Sequence, residues 1–85
     1  MSVPLCPVVL AMLADRPQDR GGLARELVAR GLTVQGAADL TLERLRLAGL
    51  VYAAPRTGVF RVTARGRREL AFQRQVSRKL ARLAA

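Results

Sequence analysis

The sequence predicts a mainly α domain with a small β-hairpin: a three-helix core, then the hairpin, then a long C-terminal helix. Three observations lead there. Apolar residues recur at helical spacing through the first half of the chain and stop at Gly31 and Gly49, where a helix end favours a left-handed residue. Two short apolar stretches flank Pro55-Arg56-Thr57-Gly58, which is turn chemistry. Thr63 then stands before a last helical run that extends to Leu83.

The chain has 85 residues, read as one domain spanning 1–85. Hydrophobic residues make up 51%, too many for a disordered tail. Aromatics are only 4%, so the core must rest on Leu, Val and Ala. A domain this small is marginal alone, and oligomerisation would help it.

The first helix is expected over 4–15, opened by Pro4 or Pro7, with Val8, Val9, Met12 and Leu13 on one face. Asp15 to Gly22 reads as a breaker-rich loop. A second helix is expected over 23–30, with Leu23, Leu27 and Val28 as its apolar stripe and Leu32 packing back inward after Gly31. Thr33 would cap a third helix over 34–48, although Gly36 near its start weakens it. Ala38, Leu42 and Leu45 point that helix at the core. The hairpin occupies 50–63, with Phe60 and Val62 on one face and Arg61 on the other. Thr63 caps the final helix over 64–83, which carries Arg65, Arg67, Arg68, Arg74, Arg78, Lys79 and Arg82 against Glu69.

Charge points to the partner. Lys and Arg number 15 against 6 Asp and Glu, a formal net charge of +9. Most of the cations are Arg, whose planar fork suits phosphate. Such a chain seeks a polyanion, nucleic acid before an anionic membrane surface. A high-GC genome would explain Arg in place of Lys, but not the excess over acids.

Catalysis is not expected. There is no histidine, and the single cysteine, Cys6, has no partner for a disulfide or a zinc site. Cys6 sits between Leu5 and Pro7 and reads as a buried, inert thiol. Asp39 and Glu43 lie one turn apart but read as a solvated face balanced by nearby Arg. No Gly-rich phosphate loop is present, and neither metal nor cofactor is expected. The apolar stretch Val3 to Ala14 is too short to span a bilayer and lacks a basic leader. The expected setting is therefore the cytoplasm, with the nucleoid.

Two close helices joined by a glycine-containing turn form a helix–turn–helix unit, and its second helix fits the major groove of B-DNA. A hairpin following at once acts as a wing. The run Leu42-Glu43-Arg44-Leu45-Arg46-Leu47-Ala48-Gly49-Leu50-Val51, followed by Gly58-Val59-Phe60-Arg61-Val62-Thr63-Ala64-Arg65-Gly66-Arg67-Arg68-Glu69-Leu70, resembles the winged helix domains of bacterial regulators of the MarR and PadR families. It is also similar to the N-terminal DNA-binding domains of Mrr-type restriction endonucleases. With a weaker match over Leu23 to Leu32, the resemblance covers most of the chain. It implies a winged helix–turn–helix fold and double-stranded DNA binding. Two departures stand out. The stretch from Gly31 to Leu42 runs slightly longer than in common versions of the family. The third helix balances Asp39 and Glu43 against Arg44 and Arg46, so the basic excess lies in the wing and last helix.

Phosphate contacts set affinity and base-edge contacts set sequence. Arg56, Arg61, Arg65, Arg67 and Arg68 are the expected phosphate contacts. Gln35, Thr41 and Arg44 are the expected base contacts, with small Ala37 allowing close approach. On the last helix, Phe72, Val76, Leu80 and Leu83 form a stripe apart from Leu70. That stripe either pairs with its copy in a homodimer or covers the first helix within one chain. The expected function is that of a small transcriptional regulator, such as a repressor, binding specific duplex sequences as a dimer. A winged helix protein-interaction module and a stand-alone restriction-type recognition domain are the alternatives. Membrane-surface binding by the last helix is disfavoured, because Phe72 is its only aromatic residue.

Overall fold

The computed structural model describes residues 5–32 and 37–84. They form four helices and one two-stranded antiparallel hairpin, in the order α1 (Leu5–Asp15), α2 (Arg20–Ala29), α3 (Ala37–Leu47), β1 (Val51–Ala53), β2 (Phe60–Val62) and α4 (Ala64–Ala84). Pro4, Thr33, Gln35 and Gly36 lie outside the described residues, as does the expected start of the third helix at 34.

Helix α1 is the centre of the molecule. Val9, Leu10, Met12 and Leu13 are all buried, and α1 touches α3, α4 and β2. Leu10, absent from the expected face, is as buried as Leu13 because three different elements surround α1. Val8 and Cys6 are only half-buried and pack against the edge of the core.

Helix α2 starts three residues before the expected Leu23, so Gly21 and Gly22 are helical rather than loop. The cause is Asp19, whose carboxylate accepts the Gly22 N–H at 2.6 Å and satisfies a donor that the first turn leaves unpaired. Leu23 and Leu27 are fully buried, whereas Val28 is exposed, so the expected stripe of three holds only two.

Both α2 and α3 end in the same way. Gly31 and Gly49 adopt positive φ, as expected. At each end the glycine N–H reaches back three residues, and the N–H that follows reaches back five: Gly31 to Val28 and Leu32 to Leu27, then Gly49 to Arg46 and Leu50 to Leu45. Leu32 and Leu50 are thereby turned inward against the core.

The hairpin is in register as Val51↔Val62, Tyr52↔Arg61 and Ala53↔Phe60. Its turn closes through the Gly58 N–H on the Ala54 carbonyl at 2.9 Å, with Gly58 at positive φ. Alternation places Val51, Phe60 and Val62 in the core and leaves Arg61 and Tyr52 outside. The Phe60 N–H also donates to the Gln18 carbonyl at 2.8 Å, a single bridge that ties the α1–α2 loop to the far edge of β2.

Thr63 locks the hairpin to α4. Its hydroxyl donates to the Gly49 carbonyl at 2.7 Å and accepts the Gly66 N–H at 3.0 Å. One side chain thus caps α4 and fixes where α3 ends. Gly66 lies so close to the preceding turn that a Cβ there would overlap the Leu50 carbonyl oxygen. Beyond Leu70, α4 contributes no buried residue.

Candidate nucleic-acid interface

The exposed face of the hairpin is built by strand alternation. With Val51 and Val62 facing inward, the cross-strand partners Tyr52 and Arg61 stand side by side on the outer face, close enough to contact one ligand group together. Arg56 is exposed in the turn beyond them.

Only Thr63 separates β2 from helix α4, whose rotation sorts its arginines. Arg65 lies on the side facing α3: its guanidinium is 3.7 Å from where a Cβ on Gly49 would stand. Arg68 is about 60° from Arg65 around the helix, so the two share a side. Arg67 is about 160° from Arg65 and belongs elsewhere. It lines a shallow cleft with Ala14, Asp15, Leu70, Ala71 and Arg74, over the C-terminal end of α1. The three arginines expected to act together are therefore divided between two sides.

Helix α3 presents less than expected. Arg44 is exposed and Ala37 is half-buried at the helix start. Gln35 lies outside the described residues. Thr41 is corrected: it is only 6% exposed, and its hydroxyl donates to the Ala37 carbonyl at 2.9 Å. A threonine that bonds back to its own helix and sits among core residues has no edge to offer a base.

Two leucines were not anticipated on this surface. Leu40 is 56% exposed and Leu47 is 76% exposed, and with Arg44 they form one outward row. The signal was present in the sequence, because both sit opposite Leu42 and Leu45 on a helical projection. Tyr52 was missed as well, although alternation with buried Val51 points it outward.

Charge separates the two halves of the chain. Through residue 50 there are six cations and five acids, and from residue 51 onward nine cations and one acid. Eight of the nine net charges therefore lie in the hairpin and α4. Three acids of the first half are paired: Asp39 with Arg20 at 3.4 Å, Glu26 with Arg30 at 2.9 Å, and Glu43 with Arg46. The Arg46 hydrogen bond holds the Glu43 carboxyl below its ordinary range, while Arg46 itself is pushed up by the same bond. Glu26 is lowered first by the Gln18 amide, which donates to it at 2.8 Å, and then by Arg30. Among the described residues no salt bridge involves a cation of the hairpin or α4. Arg20, besides pairing with Asp39, lies over the Phe60 ring at 5.7 Å and links α2, α3 and β2.

Along α4, Phe72, Val76, Leu80 and Leu83 are all exposed. The open cleft between α1 and α4 is lined by Pro7, Ala11, Leu70, Gln73, Arg74, Ser77 and Arg78, and by none of these four. The apolar stripe thus does not cover α1, which removes one of its two expected roles.

Among the described residues no group of three or more Cys, Asp or Glu side chains is placed to hold a metal ion, and no helix is long and apolar enough to cross a membrane. Comparison of the chain with protein-family models, with curated proteins and with solved structures finds no match.

Proposed function

We propose that the chain is a winged helix–turn–helix domain that binds specific double-stranded DNA sequences as a dimer and acts as a transcriptional regulator. In this reading α2 and α3 are the helix–turn–helix, α3 is the recognition helix, and the hairpin is the wing. The Gln18–Phe60 bridge supports it, since it adds a third, minimal strand to the edge of the hairpin and fixes the wing relative to α2.

The observation that carries the proposal is the charge division. The elements that directly follow α3 hold nine cations against one acid, and Arg65 joins that surface to the end of α3 at Gly49. Arg56, Arg61, Arg65 and Arg68 grip phosphates, and Arg44 meets base edges. Arg67 strengthens the field without sharing the same side. The exposed stripe of Phe72, Val76, Leu80 and Leu83 pairs with a second copy, which sets two recognition helices on a pseudo-palindromic site.

The test is a titration of short random-sequence duplexes at rising salt. Neutralising roughly six phosphates makes affinity fall by about three decades between about 50 and 200 mM salt. Binding that ignores salt, or no binding at all, refutes the proposal. A second reading, in which the α3 face bearing exposed Leu40 and Leu47 docks a protein, is the one that a failure to bind duplex leaves standing.

A further inference from the structure

We infer that α3 reads thymine: Leu40 and Leu47 seat against C5-methyl groups in the major groove, and Arg44 between them forks onto a guanine edge. This rests on the DNA-binding reading and names the bases that reading leaves open.

Three observations lead to it. The row Leu40, Arg44, Leu47 is the outermost face of α3, opposite the buried Ala38, Leu42 and Leu45. Both acids of the helix are engaged, Asp39 by Arg20 and Glu43 by Arg46, which leaves Arg44 as the one cation of α3 without an ion pair among the described residues. The two leucines are exposed and stand about 10.5 Å apart along the helix axis with Arg44 between them in the row, rather than adjacent as in the continuous apolar patch that a protein partner buries.

The chemistry fits a groove edge. Guanine offers O6 and N7 acceptors to a forked donor, and thymine is the base that offers a methyl group there. Arg44 lies about 6 Å along the axis from Leu40 and about 4.5 Å from Leu47. At about 3.4 Å per base pair, that places a thymine within about two base pairs on each side of the guanine.

The experiment uses the whole chain. Duplexes are selected from a random pool, and the preferred one is resynthesised with deoxyuridine in place of one thymidine at a time, which deletes only the methyl. Anisotropy titration should show a loss of about fourfold at each flanking thymine and none at distant ones. L40A should abolish the sensitivity at one flanking position and L47A at the other, with the salt dependence of binding unchanged. Affinity indifferent to the methyls, or leucine variants that keep the sensitivity, overturns the thymine reading while DNA binding stands. Failure of every duplex to bind overturns both and assigns the leucine row to a protein partner. The deoxyuridine arm leaves the protein unaltered, so it decides the matter even if a leucine variant folds poorly.

Discussion

The approach of α4 to the end of α3 gives the sharpest stability prediction. Gly66→Ala places a methyl into the Leu50 carbonyl oxygen and within 2.7 Å of a Val62 side-chain carbon. The first obstacle is backbone, so it yields only if α4 moves away from the hairpin. Overpacking of this kind costs about 1–3 kcal/mol. Helical glycine to alanine, taken alone, works the other way by about 0.4–1 kcal/mol. The net is a loss of about 1–2 kcal/mol, or a fall in Tm of roughly 5–15 °C for a domain of this size. Gly21→Ala is the matched control. It also lies in the first turn of a capped helix, but an added Cβ there finds its nearest neighbour, an Asp19 oxygen, at 3.9 Å. That variant should melt a few degrees above the parent. Thermal unfolding followed by circular dichroism, with urea titration at one temperature, measures both. Should Gly66→Ala melt at or above the parent, the close contact between α4 and Leu50 is wrong, and the placement of Arg65 beside Gly49 falls with it.

Arg61→Ala should flatten the salt dependence of duplex binding by about one phosphate, a change of about 0.9 in the log–log slope, while leaving the melt unchanged; an unaltered slope would mean that the outer hairpin face does not touch DNA. Thr63→Val removes both hydroxyl bonds at the α3–α4 junction and should cost about 1–2 kcal/mol in urea unfolding. Leu80→Asp alters only an exposed side chain, so circular dichroism should not change while sedimentation shifts from dimer to monomer; a dimer that survives lies elsewhere on the surface. Acid should destabilise the fold through Glu26. Its folded pKa is lowered, so its stabilisation is present above the unfolded pKa and is lost as pH falls through the folded value. Melting curves recorded from neutral pH down into the acid range should show a smaller decline for Glu26→Gln than for the parent.

What the sequence revealed depended on how local the cause was. Gly31 and Gly49 act within a few residues of themselves, as Thr63 does in capping α4, and each does what its type and position predict, whereas the second bond of Thr63, to the Gly49 carbonyl 14 residues back, has no local trace. The faces of the hairpin follow from alternation alone. Helix α2 was misjudged because two adjacent glycines outweighed, on paper, a single capping carboxylate that the folded chain uses. The Gln18–Phe60 bridge joins residues far apart in sequence and has no local trace. Leu10 was missed because α1 is apolar on nearly every side, which blurs its period. Thr41 was misread for the opposite reason: polarity implied solvent, but its hydroxyl satisfied itself on the Ala37 carbonyl and the side chain could be buried. For the basic cluster, composition named the residues, but only helical rotation separates Arg67 from Arg65 and Arg68.

Tyr52 has a use beyond the contacts it makes. The chain has no tryptophan and this one tyrosine, and it stands on the outer face of the hairpin beside Arg61. Near-ultraviolet emission of the unlabelled protein therefore originates, apart from the weak phenylalanines, at a single point on the surface proposed to meet DNA. Stacking or shielding at that point would change its brightness, so the molecule carries its own optical gauge of occupancy, with no dye attached and no residue replaced.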